Sequence, residues 1–200
     1  MEIRVLTLGI ALASGCGGAV STPEPASIAI TLAHDRPAER RTRAQLERIL
    51  AAHDLSRWIR TSAVQIDEEA IPHSHPVLTL HARHLGDDDL LLATFVHEQM
   101  HWLLEERAAA AAAAVVDLRA MFPEVPVGFP DGARSAQSSY EHLIVDHLEH
   151  DALRRVRGPE VARRVLEHWT TDHYRVLYRM ELDHEAEIAR ILARHGLVVE

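Results

Sequence analysis

His97-Glu98-Gln99-Met100-His101 constrains this chain more than any other stretch. It lies inside an apolar run from Leu90 to Leu104 that reads as a helix. Residues four apart on a helix stand one turn above each other, so both imidazoles leave the same face and can share one metal ion. Glu98 then points close enough to polarise a water held on that ion. Zinc suits neutral imidazole nitrogens, and an open fourth position makes its water a nucleophile near neutral pH. In a chain with 15 histidines the pentapeptide can arise by chance, so its surroundings must carry part of the argument.

Two hundred residues with 47% hydrophobic content suffice for one compact domain. A net charge of −9 argues against a nucleic-acid partner, because phosphate neutralisation needs a basic face. Cys16 is the only cysteine, which excludes a disulfide framework, a cysteine metal cluster and a thiol nucleophile in the body of the chain. Before it come Arg4, the apolar stretch Val5–Leu12 and the small residues Ala13-Ser14-Gly15. This resembles a bacterial lipoprotein signal, although Ala13 stands where Leu is most common. The resemblance implies cleavage before Cys16, acylation of that residue and a place in the bacterial cell envelope, with membrane contact through the lipidated Cys16 only. Residues 1–16 are then a signal peptide, 17–26 a Pro- and Ser-containing tether, and 27–200 a single domain. No later segment has ~18 uninterrupted apolar residues, the length a membrane span needs.

Within that domain Ser27–Leu32 is β-compatible, Pro37–His53 has helical spacing, and Trp58–Ile66 alternates as a second strand. Strand, helix, strand in this order favours parallel neighbours joined by a crossover. Val77–His81 is a third strand, and Asp87 or Asp88 starts the motif helix, where the acids suit the helix dipole. That helix is expected to continue through the seven alanines from Ala108 to Ala114. Pro123–Gly132 must break it. Helices follow from Ser138 or Ser139 to about Arg155, from Gly158-Pro159 to Trp169, and from Asp172 to Gly196.

The pentapeptide and this element order resemble the zincin metallopeptidases. The fold implied is α+β: a small sheet with a crossover helix, the active-site helix, then an all-helical second half. Trp102-Leu103-Leu104-Glu105 after His101 lacks the spacing of the metzincin subgroup. Leu148-Glu149-His150-Asp151-Ala152 looks like the gluzincin pattern, in which a glutamate on a later helix completes the site. By that resemblance His97, His101 and Glu149 bind Zn2+, and Glu98 is the general base of peptide-bond hydrolysis without a covalent intermediate. His142 is the rival third ligand. It lies seven residues, about 10.5 Å, before Glu149 on the same helix face, so the two do not share one ion. If Glu149 ligates, His142 or Tyr140 is a candidate hydrogen-bond donor to the oxyanion, and Asp146 could orient a histidine.

His147, His150, His168, His173, His184 and His195 read as polar surface. His73, His75, His81 and His84 border the expected cleft, and the strand beside them is expected to pair with an extended peptide. Trp102, Tyr174 and Tyr178 read as core, and Val125–Arg134 as a possible lid. Two other functions fit the same chain. One is a lipoprotein using a zincin-like fold for binding without catalysis, and the other is a helical interaction module without zinc.

Overall fold

The computed structural model describes residues 28–200, so the signal segment, Cys16, the tether and Ser27 lie outside the described residues. Three short strands, β1 (Ala29–Leu32), β2 (Ala63–Ile66) and β3 (Leu78–Leu80), form one parallel sheet in that order. Helix α1 (Pro37–Ala52) makes the expected connection between β1 and β2 and buries Leu46 and Ile49. The second strand is shorter than the alternation suggested. Trp58 is buried ahead of it, and the amides of Arg60 and Thr61 pair with the Gln99 side chain rather than with a strand. The third strand also ends early, because the His81 side chain accepts from the Arg83 amide and caps a 3-10 turn over Ala82–His84.

The motif helix α2 (Asp88–Glu106) begins where the acids placed it, with the Asp87 carboxylate accepting from the amides of Asp89 and Leu90 at 3.0 and 3.1 Å. It does not run on through the alanines. The backbone leaves helical geometry at Arg107 (φ −115°, ψ 37°), and a separate α3 (Ala108–Met121) follows. The Arg107 guanidinium instead donates to the carbonyls of Gly196 and Val198, fastening the C-terminal tail at the break. The alanine surface packs as expected, with Ala111 and Ala114 buried.

The remaining helices are α4 (Ala136–Arg157), α5 (Pro159–Asp172) and α6 (Arg175–Arg194), so everything after α2 in the described residues is helix or loop. Helix α4 starts ahead of Ser138 because Ser135 is the cap, accepting from the Ser138 amide at 3.1 Å. Ser139 is buried. Its hydroxyl donates to the Pro126 carbonyl and accepts from the Ala133 amide, tying the 123–135 loop to α4. Helix α2 is covered on both sides: Leu91, Phe95, Val96, Met100 and Leu103 are all buried. Burial of each such side chain contributes roughly 1.5–3 kcal/mol, which outweighs the propensity of any single residue in the helix.

Two histidines read as surface are not. His150 is buried and His147 nearly so, and each Nδ1 lies 3.0 Å from Oε1 of the buried Glu181 on α6. Burial opposes the charge on Glu181, but the hydrogen bonds from His147 and His150 hold its pKa below the ordinary value. Burial likewise opposes the charge on His147, and Glu181, Asp151 and Glu185 raise its pKa regardless.

Two predictions follow from this packing. Gln99→Leu removes the acceptor of two backbone amides and the donor to the Thr61 carbonyl, and should cost ~2–4 kcal/mol, read as a Tm lowered by roughly 4–16 °C in a thermal melt. The second concerns pH. The depressed Glu181 pKa gives stability that is present above 4.5 and lost as pH falls, whereas the raised His147 pKa gives stability present below 6.5 and lost as pH rises. The stability gap between wild type and Glu181→Gln should therefore peak between 4.5 and 6.5 and narrow on both sides, as measured by urea unfolding across that range.

Candidate metal centre

His97 and His101 leave one face of α2, and their Nε2 atoms are 3.3 Å apart. Two nitrogens each 2.0–2.1 Å from a tetrahedral ion would stand about 3.3–3.4 Å apart, so the separation suits two ligands of one zinc. His142 comes from α4 to join them, its ring centroid 4.9 Å from that of His101 and 5.6 Å from that of His97. One ligand atom from each of the three lies within 4.8 Å of the others. The His142 Nδ1–H donates to the Ser138 carbonyl one turn earlier at 2.7 Å, which leaves Nε2 as the lone-pair nitrogen. Burial holds all three pKa values below the ordinary one, with neighbouring imidazoles adding to the effect at His97 and His101. Neutral imidazole is the form that ligates.

Glu149 sits behind this trio. Its Oε2 accepts from His97 Nδ1, the ring nitrogen other than the one facing His101, at 3.0 Å and from the Tyr178 hydroxyl at 2.9 Å. Its Oε1 accepts from Trp169 Nε1 at 2.9 Å. Asp146 lies 3.7 Å from the same His97 nitrogen, fully buried, with no hydrogen-bond partner on either oxygen. His97, Asp146 and Glu149 thus make a second group of possible ligands. As the spacing required, no group contains both His142 and Glu149. Burial pushes Glu149 up to about 7 against the hydrogen bonds from Tyr178 and Trp169, and burial with the charges of Glu149 and Glu181 pushes Asp146 well above the usual range.

Glu98 faces the same cavity as the three imidazoles, a space of about 650 Å³. It is buried, and burial followed by the Glu149 charge raises it to about 8. Loop residues Ile71–Ser74 and Phe129, Gly132, Ala133 and Arg134 contribute to the cavity's wall, together with Tyr174. His73 and His81 of the predicted cleft border do line it, whereas His84 is buried against Trp169 and His75 stacks on Trp102 at 4.0 Å. The 125–134 loop reaches the cavity as a wall, closed on itself by the Gly128 amide donating to the Ala133 carbonyl at 2.7 Å.

Sequence reasoning missed four contributors. Tyr174, read as core, is half-buried in the cavity wall, its ring 4.3 Å from that of His142. Its backbone is left-handed (φ 45°), a costly conformation for an aromatic residue and one that recurs at functional sites. Burial, with the Asp146 and Glu98 charges, raises its hydroxyl to about 12, so it stays a donor. Tyr178 is core, as expected, but its hydroxyl also holds Glu149. Trp169 and His173 line the cavity from the end of α5, where no sequence motif marked them. Conversely Tyr140 is buried with its hydroxyl spent on the Phe122 carbonyl at 2.6 Å, which removes it as an oxyanion donor.

Tyr178→Phe deletes one donor to a buried carboxylate while keeping the ring. It should destabilise the metal-free protein by ~1–3 kcal/mol in urea unfolding.

No family model, curated protein or solved structure matches this chain.

Proposed function

We propose that His97, His101 and His142 hold one zinc ion and that the protein hydrolyses amide bonds in peptide or protein substrates. The observation that carries this reading is the convergence of three neutral imidazoles, His97 and His142 buried and His101 partly so, with the Glu98 carboxylate on one cavity. His142 replaces Glu149 as the third ligand because both Glu149 oxygens are engaged, Oε2 by the far nitrogen of His97 and by Tyr178, and Oε1 by Trp169. Glu149 then fixes the His97 tautomer with Nδ1 protonated and Nε2 free to ligate.

Bound there, zinc would supply a Lewis acid for the substrate carbonyl and a water acidic enough to attack near neutral pH. Glu98 takes the proton from the attacking water and returns it to the leaving amine nitrogen. With His142 occupied as a ligand, Tyr174 is the wall residue suited to donate a hydrogen bond to the developing oxyanion. On the export reading of residues 1–16, the enzyme works in the bacterial envelope, held to the membrane through Cys16.

Metal analysis of untagged protein from residue 27 onward tests the site. One zinc per chain is expected, lost in His97→Ala, His101→Ala and His142→Ala and retained in Glu98→Gln and Tyr174→Phe. Glu149→Gln should weaken zinc affinity roughly 10–100-fold without abolishing binding. On a cleaved peptide, Tyr174→Phe should lower kcat about 10²–10³-fold. Wild type that takes up no zinc on reconstitution would sink the proposal. Zinc binding without cleavage of any peptide or unfolded protein would leave a non-catalytic binding protein.

A further inference from the structure

Two large apolar side chains stand in water at the wall of this cavity: Ile71 is 84% exposed and Phe129 81%. A scattered exposed apolar residue needs no explanation, but here two from distant segments line one cavity that also holds the three imidazoles. Each segment is tied down on its own. On the Ile71 side, His73 exchanges both backbone hydrogen bonds with Thr79 at 3.1 and 2.8 Å, and the Trp102 indole donates to the Ser74 carbonyl at 2.9 Å. On the Phe129 side, the Arg175 amide donates to the Pro130 carbonyl at 3.0 Å, and the Arg175 guanidinium pairs with Asp131 at 2.8 Å. A Cβ on Gly132 would stand 2.1 Å from the Pro126 carbonyl oxygen, so this loop closes only around glycine. The fold therefore fixes the backbone that carries both side chains before any ligand arrives, which lowers the ordering cost of binding.

The same segment offers a substrate little backbone. His73 has spent its N–H and C=O on Thr79, Pro72 has no N–H, and the Ser74 carbonyl is taken by Trp102. Only the Pro72 carbonyl and the Ser74 amide are left of the groups a strand-paired peptide would use there, so a continuous ladder of the kind expected from sequence cannot form. Side-chain contact is then what this segment offers a substrate, and at Ile71 that contact is apolar.

We infer that Ile71 and Phe129 form an apolar clamp that takes a bulky apolar side chain of the substrate beside the hydrolysed bond. The substrates are extended segments that expose leucine, methionine or aromatic residues. This rests on the peptidase reading above.

The test uses zinc-loaded full-length protein and quenched-fluorescence peptides identical except for one residue, varied among Leu, Phe, Gly, Asp and Lys. Leu and Phe peptides should be preferred at least about tenfold in kcat/KM. Phe129→Ser and Ile71→Ser should each lower kcat/KM for those peptides roughly 10–100-fold, chiefly through KM, and flatten the preference. Zinc content and melting temperature should not move, because both side chains are exposed, and Phe129→Leu should restore most of the effect. Cleavage without an apolar preference, or a preference that survives both serine variants, overturns the clamp. If no peptide is cleaved, the peptidase reading fails, and binding of the Leu peptide to zinc-loaded Glu98→Gln protein judges the clamp by itself. Binding that Phe129→Ser abolishes upholds it, and no binding, or binding indifferent to that change, overturns it.

Discussion

The contact between His97 and Glu149 is the one on which the rest of this structure depends. A carboxylate on α4 is fully buried and receives hydrogen bonds from α2 through His97, from α5 through Trp169 and from α6 through Tyr178. Burying such a group costs several kcal/mol unless its lone pairs are filled, and three donors from three other helices fill them. The same contact makes two demands on the fold. It sets the rotation of α4 against α2, and it decides which nitrogen of His97 faces the cavity.

The opposite side of the pentapeptide is fixed just as firmly, by different chemistry. The Gln99 side-chain oxygen accepts from the amides of Arg60 and Thr61 and its amide nitrogen donates to the Thr61 carbonyl, while Met100 is wholly buried. Of the two unspecified positions of His-Glu-x-x-His, Gln99 therefore binds α2 to the entry of β2 and Met100 fills the core. The three specified positions are left facing the cavity. A rotation of α2 that improved one face would break the other, and this two-sided fit gives the imidazoles fixed positions.

Electrostatics in the cavity are unbalanced in a direction that a cation would correct. Glu98, Glu149 and Asp146 are all pushed up by burial, and the three imidazoles are all pushed down. A divalent ion among neutral ligands reverses the penalty on nearby carboxylates, because its charge becomes the largest in the site. Asp146, with both oxygens unpartnered and no exposure, is the group most exposed to that imbalance.

The sequence by itself determined the local elements and the first two imidazoles. Caps, proline breaks and helical spacing placed the elements, and four-residue spacing alone puts His97 and His101 on one face. It gave a poorer account where neighbours compete for the backbone: Gln99 takes the residues read as the start of β2, and Arg107 turns toward the tail instead of extending α2. The placement of the third imidazole was decided only by tertiary structure. His142 and Glu149 are two helical turns apart on one face, so spacing serves either equally, and the height at which α4 crosses α2 brings the His142 ring to 4.9 Å from that of His101 and puts Glu149 at the Nδ1 side of His97. Tyr174, Trp169 and the Ile71 and Phe129 wall were hidden for the same reason. Each acts across a long sequence separation, and what a side chain meets there is set by how helices and loops pack, not by the residues beside it in the chain.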